Sequence, residues 1–230
     1  MELALRIAAV GLTGYLIGSV PFTLIVGKLF FGVDPRQHGS GNLGATNAAR
    51  VLGAKAALAV AVLDITKGGL VVALAKWLIA PASVVGDNPA AWAVVAAILS
   101  AIIGHAFSIY IGFKGGKGIA VAAGGLIVAM PIIAAILGTV FVVTAVAFRY
   151  ASVASMTAAS AFPLLVVALD PRPPYVILSA VVCAGVYFLH RTNISRLRAG
   201  TEAKISFAKT PGETNDAASH SGDTTDSEGR

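Results

Sequence analysis

The chain has 230 residues, of which 57% are hydrophobic and only 12% charged, and its mean hydropathy is +0.82. Soluble domains carry about 25% charged residues, so this composition excludes an ordinary water-soluble fold and points to lipid as the main solvent. The net charge of +6 does not indicate nucleic-acid binding, because the basic residues sit in short loops between apolar runs.

A first apolar run, Ile7–Phe31, predicts a retained membrane span. It has a weak basic start and no Ala-x-Ala site after a short core, unlike a cleaved signal peptide. The segment Gly32–Arg50 is polar and glycine-rich. A second run, Val51–Ala80, carries Asp64 and Lys67 inside it, and the loop Pro81–Ala90 leads to a third span at Ala91–Ile111. After the loop GFKGGKG, Gly112–Gly118, comes Ile119–Phe148, 30 residues with Pro131 near the middle. That length is long for one span of about 20 residues and short for two. Because proline removes a backbone donor, the segment predicts two shortened helices folding back, which returns Arg149 to the side of GFKGGKG. Spans at Val153–Leu169 and Pro174–Leu189 complete an all-α bundle of seven transmembrane helices. Residues 1–207 then form one polytopic domain, and 208–230 a polar tail expected to be disordered.

Basic residues set the orientation. Twelve lysines and arginines fall in one set of loops, including Lys28, Arg50, Lys114, Lys117, Arg149 and Arg196, against three, Arg6, Lys76 and Arg172, on the other side. The positive-inside rule places the first set in the cytoplasm, with the N-terminus outside and the C-terminus cytoplasmic.

Three polar segments share that cytoplasmic side. In HGSGNLGATNAAR, Gly39, Gly41 and Gly44 permit close backbone approach to an anion. Ser40, Asn42, Thr46 and Asn47 add donors, and Arg50 can fork onto a phosphate. A helix-capping turn with a basic anchor is the plainer alternative. GFKGGKG is not a P-loop, since Ile111 replaces the first required glycine and Gly118 follows Lys117 where Ser or Thr is needed. It remains a flexible, doubly cationic loop (Lys114, Gly115, Gly116, Lys117, Gly118) entering a helix, whose free N–H groups favour anions; lysines on a tight surface turn are the alternative. In HRTNISRLRAGTE, His190 and Asn193 share a helix face, Arg196 extends it, and Glu202 follows a Gly200 helix stop.

Asp64 and Lys67, three apart, read as an internal ion pair fastening the second helix, and His105 as a hydrogen-bonded structural group. Cys183 stands alone in an apolar run, so no disulfide or thiolate metal cluster can form. No metal or cofactor is expected. A His-x4-Asp acyltransferase motif is absent, since the positions reached from His38, His105, His190 and His220 are Leu43, Tyr110, Ser195 and Thr225. A small transporter for phosphorylated solutes is the non-enzyme alternative.

GSVPF at Gly18–Phe22, HGSGNLGATNAAR, GHAFSIYIGFKGGKG at Gly104–Gly118 and HRTNISRLRAGTE together resemble the acyl-phosphate-dependent glycerol-3-phosphate acyltransferases, the PlsY family, from Leu16 to about Lys204. The resemblance implies a seven-helix membrane fold that transfers an acyl group from acyl phosphate to the 1-hydroxyl of glycerol 3-phosphate, with no cofactor, at the inner membrane. It further implies functional roles for Ser40, Arg50, His190 and Asn193. Gly112–Gly118 becomes the glycerol 3-phosphate loop, and Glu202 a structural support.

Overall fold

The computed structural model describes residues 2–79 and 89–205. The expected polar tail therefore lies outside the described residues, and so does most of the Pro81–Ala90 loop. Ten α-helices follow in chain order among the described residues: α1 (Glu2–Gly18), α2 (Phe22–Phe31), α3 (Ala45–Val51), α4 (Ala54–Ile79), α5 (Pro89–Ala106), α6 (Ile119–Ala129), α7 (Pro131–Phe148), α8 (Ala151–Leu169), α9 (Pro173–Leu189) and α10 (Arg191–Arg198). No strand occurs among the described residues.

Among the described residues, length and hydropathy qualify five stretches as spans: Ala4–Phe31, Ala54–Leu78, Ala90–Ile111, Pro131–Phe148 and Ala151–Leu169. A sixth arises if α9 and α10, bent by 55°, count as one. The first stretch is a single apolar run but two helices, a feature the hydropathy pattern alone did not reveal. Pro21 cannot donate a backbone hydrogen bond, so α1 closes with the Ser19 N–H on the Tyr15 carbonyl and α2 restarts at Phe22. Gly32, in the left-handed region at φ 64, then ends α2.

The long segment around Pro131 folds back as its sequence predicts, and the structure shows how. α6 packs chiefly along α4 and α7 along α8. A side chain at Gly68 would strike the Val121 backbone, and one at Gly124 would strike the Ile65 carbonyl. These glycines let two backbones touch, the usual substitute for hydrophobic driving force inside lipid. The register starts α6 opposite the middle of α4, so its 11 residues, about 16 Å long, cover only the far half of the bundle. There Lys76 Nζ donates to the Val128 carbonyl at 2.6 Å, one of those left open by the helix end. The chain reverses at Met130, Pro131 starts α7 without an N–H to satisfy, and α7 returns to Arg149.

Arg149 takes a left-handed conformation (φ 61), and its carbonyl accepts from Ile205 N at 2.6 Å. The end of α7 thus lies beside the last described residues, at the end of the bundle that also carries α3 and α10. The main core joins α1, α4, α5, α6, α7, α8 and α9 through residues such as Val71, Ile98, Ile133, Phe162 and Leu178. A smaller cluster, Val26, Ala48, Leu52, Ala56 and Val60, seats α3 on α2 and α4 and holds the first polar segment in place.

Candidate active site

The glycine-rich segment before α3 is shaped by one side chain. Asn47 is 1% exposed. Its Oδ1 accepts from the Ser40 N–H at 2.8 Å and the Ser40 hydroxyl at 3.1 Å, and its Nδ2 donates to the Pro35 carbonyl at 2.9 Å. Gly39 (φ 62) and Gly41 (φ 68) make the turn that carries Ser40, and a side chain on Gly39 would displace Asn47. The amide of Asn47 is therefore committed to the loop. Arg50, one turn further along α3, is exposed and donates to the Ala203 carbonyl at 3.2 Å.

A second set of groups converges from α8, α10 and the segment after α10. Glu202 Oε1 accepts from Ser152 Oγ at 2.9 Å and from Asn193 Nδ2 at 2.6 Å, and its Oε2 accepts from Arg196 Nε at 2.7 Å. Gly200, at φ 70, ends the helix and turns the chain so that Glu202 reaches back. Burial opposes the charge on Glu202, but the hydrogen bonds from Arg196, Asn193 and Ser152 prevail and hold its carboxyl below the usual range. Asn193, with its amide nitrogen on Glu202, turns Oδ1 to Lys117 Nζ. His190 Nδ1 lies 2.8 Å from the Val186 carbonyl. A carbonyl can only accept, so Nδ1 carries the proton and Nε2 remains an acceptor.

Lys117 comes from the third polar segment. Burial pulls its ammonium down to about 8; Glu202 opposes that shift, while Arg196 and Arg50 add to it. Its neighbours in GFKGGKG do other work. A side chain on Gly115 would meet the His105 carbonyl, and one on Gly116 would meet the His105 ring and the Leu43 carbonyl. Gly118 (φ 72) starts α6. Lys114 is exposed.

These groups face one cavity of about 540 Å³. Of the residues expected at a site, Ser40, Asn42, Thr46, Asn47, Arg50, Lys117, His190, Asn193 and Glu202 line it; Gly39, Gly41, Lys114, Gly115, Gly116 and Gly118 do not. The cavity mouth is polar. Its inner half is walled by α6, α7 and α8 with residues such as Ala123, Leu126, Phe141 and Phe162. Ser152 and Ser155 also line it, and the sequence reading passed over them. They stand three apart on one face of a largely apolar helix directly after Arg149, a spacing that could have drawn attention.

Asp64 also borders the cavity, beyond the structural role expected of it. It pairs with Lys67 Nζ at 2.8 Å, as the spacing predicts, and Lys67 further donates to the Val20 carbonyl at 2.8 Å and lies 3.0 Å from His105 Nδ1. The predicted ion pair is thus a three-residue cluster that joins α4 to α5 and to the break after α1. Three contacts saturate the ammonium.

An all-helical membrane protein with three cations and one carboxylate at the mouth of an apolar cavity is built to hold an anionic head group beside a lipid-like tail. The comparisons with known proteins agree. The family model described as Glycerol-3-phosphate acyltransferase matches residues 8–200. The chain is 38% identical to the glycerol-3-phosphate acyltransferase of Chlorobaculum parvum, over 89% of this chain and 99% of that one. It is 40% identical to that of Geotalea daltonii over 82% and 92%. Among solved structures it resembles PlsY, an integral membrane glycerol 3-phosphate acyltransferase, in its glycerol 3-phosphate form: TM-score 0.79, 32% identity, 87% of this chain and 96% of that one. The lysophosphatidic acid form of PlsY gives a TM-score of 0.76 at 30% identity. The chain belongs to the glycerol-3-phosphate acyltransferase family of the PlsY type.

Proposed function

We propose that this protein transfers an acyl group from acyl phosphate to the 1-hydroxyl of sn-glycerol 3-phosphate, giving 1-acylglycerol 3-phosphate (lysophosphatidate) and inorganic phosphate, as an early step of phospholipid synthesis. The observation that carries the reading is a single cavity joining a cationic mouth to an apolar slot between membrane helices. The neighbouring structures of glycerol 3-phosphate and lysophosphatidic acid forms of PlsY support the acceptor and the product.

The chemistry fits the few titratable groups. An acyl phosphate is an activated mixed anhydride. The acceptor hydroxyl adds to its carbonyl carbon, the C–O bond to phosphate breaks as the new ester C–O bond forms, and the hydroxyl proton leaves on the departing phosphate. The protein's share is to hold two polyanions in line and offset their repulsion. Arg50, Lys117 and Arg196 supply the positive charge, Ser40 and Asn193 supply neutral polar contacts, and Nε2 of His190 accepts from the acceptor hydroxyl and orients it. Glu202 holds Asn193 and Arg196 in register. Asn42 and Thr46 line the mouth beside Ser40 and contact the donor.

The mouth faces the cytoplasm of a bacterial inner membrane, with the N-terminus outside, and residues 1–207 form the polytopic acyltransferase domain. Purified protein is mixed with acyl phosphate and glycerol 3-phosphate, and phosphate release is measured. Release that depends on both substrates and falls about 100-fold or more in Ser40→Ala and Arg50→Ala, but survives truncation after Phe207, is the expected result. No release with fresh donor, together with solute flux in vesicles, overturns the reading in favour of a transporter.

A further inference from the structure

The inner half of the cavity contains a glycine that neither packing nor backbone geometry explains. On α7 the lining residues are Ala134, Leu137, Gly138, Phe141 and Val142, spaced as one helix face. Gly138 lies in the helix interior with no positive φ, where glycine weakens a helix. Gly68 and Gly124 are required by backbones that touch them, but a side chain added at Gly138 would meet no atom within 4 Å. Gly138 lines the cavity that begins at Lys117 and Asn193, and it is exposed, so the space beside it also opens to the outer surface.

Depth follows from helix rise. Gly138 stands about 16 Å along α7 from Arg149, and Phe162 about 15 Å along α8 from Ser152, so both sit at one level below the polar mouth. An extended chain advances about 1.2 Å per bond. About a dozen bonds then separate a carbonyl at the mouth from Gly138. At this level the slot is open to the lipid-facing surface, since Ile127 on α6 and Gly138 itself line the cavity and are exposed, as is Val142 one turn nearer the mouth on α7.

We propose that Gly138 is the chain-length-determining position of this enzyme: the acyl chain of the donor runs between α6 and α7, passes Gly138 at about its twelfth carbon, and continues toward lipid because no side chain stands there. This rests on the acyl-transfer reading above and adds to it the residue that admits long chains. A group placed at position 138 fills the passage and leaves the first dozen carbons undisturbed.

The test uses the full chain in detergent or lipid nanodiscs, with acyl phosphates of ten, twelve, sixteen and eighteen carbons, in wild type, Gly138→Ala, Gly138→Val and Gly138→Leu. Gly185→Leu on α9 is the control, because Gly185 is equally free of neighbours but lies outside the cavity. Wild type and G185L share one length profile. G138L loses about tenfold or more with the sixteen-carbon donor, a loss of the size that a few misfitting methylenes produce, and keeps the ten-carbon rate within about threefold, with G138A and G138V in between. Retained ten-carbon turnover certifies the fold. Equal loss at every chain length across all three substitutions, or an unchanged profile in G138L, overturns the proposal. A wild type that ignores acyl phosphates overturns the donor reading instead. The same length series is then run on acyl thioesters, where an unchanged profile in G138L still defeats the role of Gly138.

Discussion

Two clusters of charge meet the same cavity, one buried and one at its mouth, and are built in opposite ways. Asp64, Lys67 and His105 form a neutral set in which the one ammonium already contacts a carboxylate, a carbonyl and an imidazole. Around Glu202, by contrast, Arg50, Lys117 and Arg196 surround a single carboxylate. In the first cluster the ammonium has no donor left for a ligand, and its charge is matched by Asp64 where solvent cannot help. The second has surplus positive charge that only an incoming anion can balance. Ion pairing inside a membrane protein is therefore not in itself a functional mark; an unbalanced count at a cavity mouth is.

Breaking each cluster sharpens the contrast. The largest effect belongs to the balanced one. Lys67→Met strands the Asp64 carboxylate and lowers stability by about 3–5 kcal/mol, read as a fall in thermal melting temperature in detergent. The double variant Asp64→Asn with Lys67→Met recovers part of that loss, because no charge is left unpaired. Failure of the double variant to recover any stability would contradict the neutral-pair account.

The unbalanced cluster should fail in affinity and rate instead. Lys117→Ala removes a cation from the mouth and lowers kcat/KM for glycerol 3-phosphate about 100- to 1,000-fold, with a smaller change in melting temperature than Lys67→Met. Phosphate release at varied acceptor concentration measures it. A melting temperature that collapses while kcat/KM of the folded fraction holds would assign Lys117 a structural role.

Proton occupancy gives a middle-sized effect. With its ammonium pulled down to about 8, Lys117 is charged below that pH and neutral above it. The free-enzyme profile of kcat/KM is therefore held below about pH 8 and falls toward tenfold per unit above it. The acid limb lies near pH 6, where a phosphate monoester loses its second charge. Lys117→Arg, whose guanidinium stays charged, extends the plateau to higher pH even if its height is lower. An alkaline limb that stays in place in that variant would exclude Lys117 as its source. The smallest effect is expected from the other lysine of the same loop: Lys114→Ala changes kcat/KM by no more than about threefold, the size of an exposed charge screened by water.

Much of the architecture is legible in the chain itself. Runs of apolar residues must be helices in lipid, since every backbone donor and acceptor has to be satisfied within the run. Pro131 marks the point where one run becomes two. The pairing of Asp64 with Lys67 and the helix stop at Gly200 are likewise local, set by residues three apart and by a glycine that tolerates positive φ. Ser40, Arg50, Lys117, His190 and Asn193, which line the cavity, stand out in the sequence because small polar motifs interrupt long apolar stretches.

Other features were decided only by how the helices pack. Nothing in GFKGGKG tells Lys117 from Lys114; the difference arises because Gly115 and Gly116 press against His105 and Leu43, leaving one lysine half-buried toward Asn193 and the other in solvent. Ser152 joins the site through Glu202, fifty residues away in sequence. The short reach of α6 follows from the Gly68–Val121 and Ile65–Gly124 contacts, which set its register against α4. Local pattern determines which segments are helical and where they break, because those are properties of neighbouring residues. Which side chains share a cavity is determined by packing between helices, where the energy comes from fit between distant surfaces and no short stretch of sequence contains both halves.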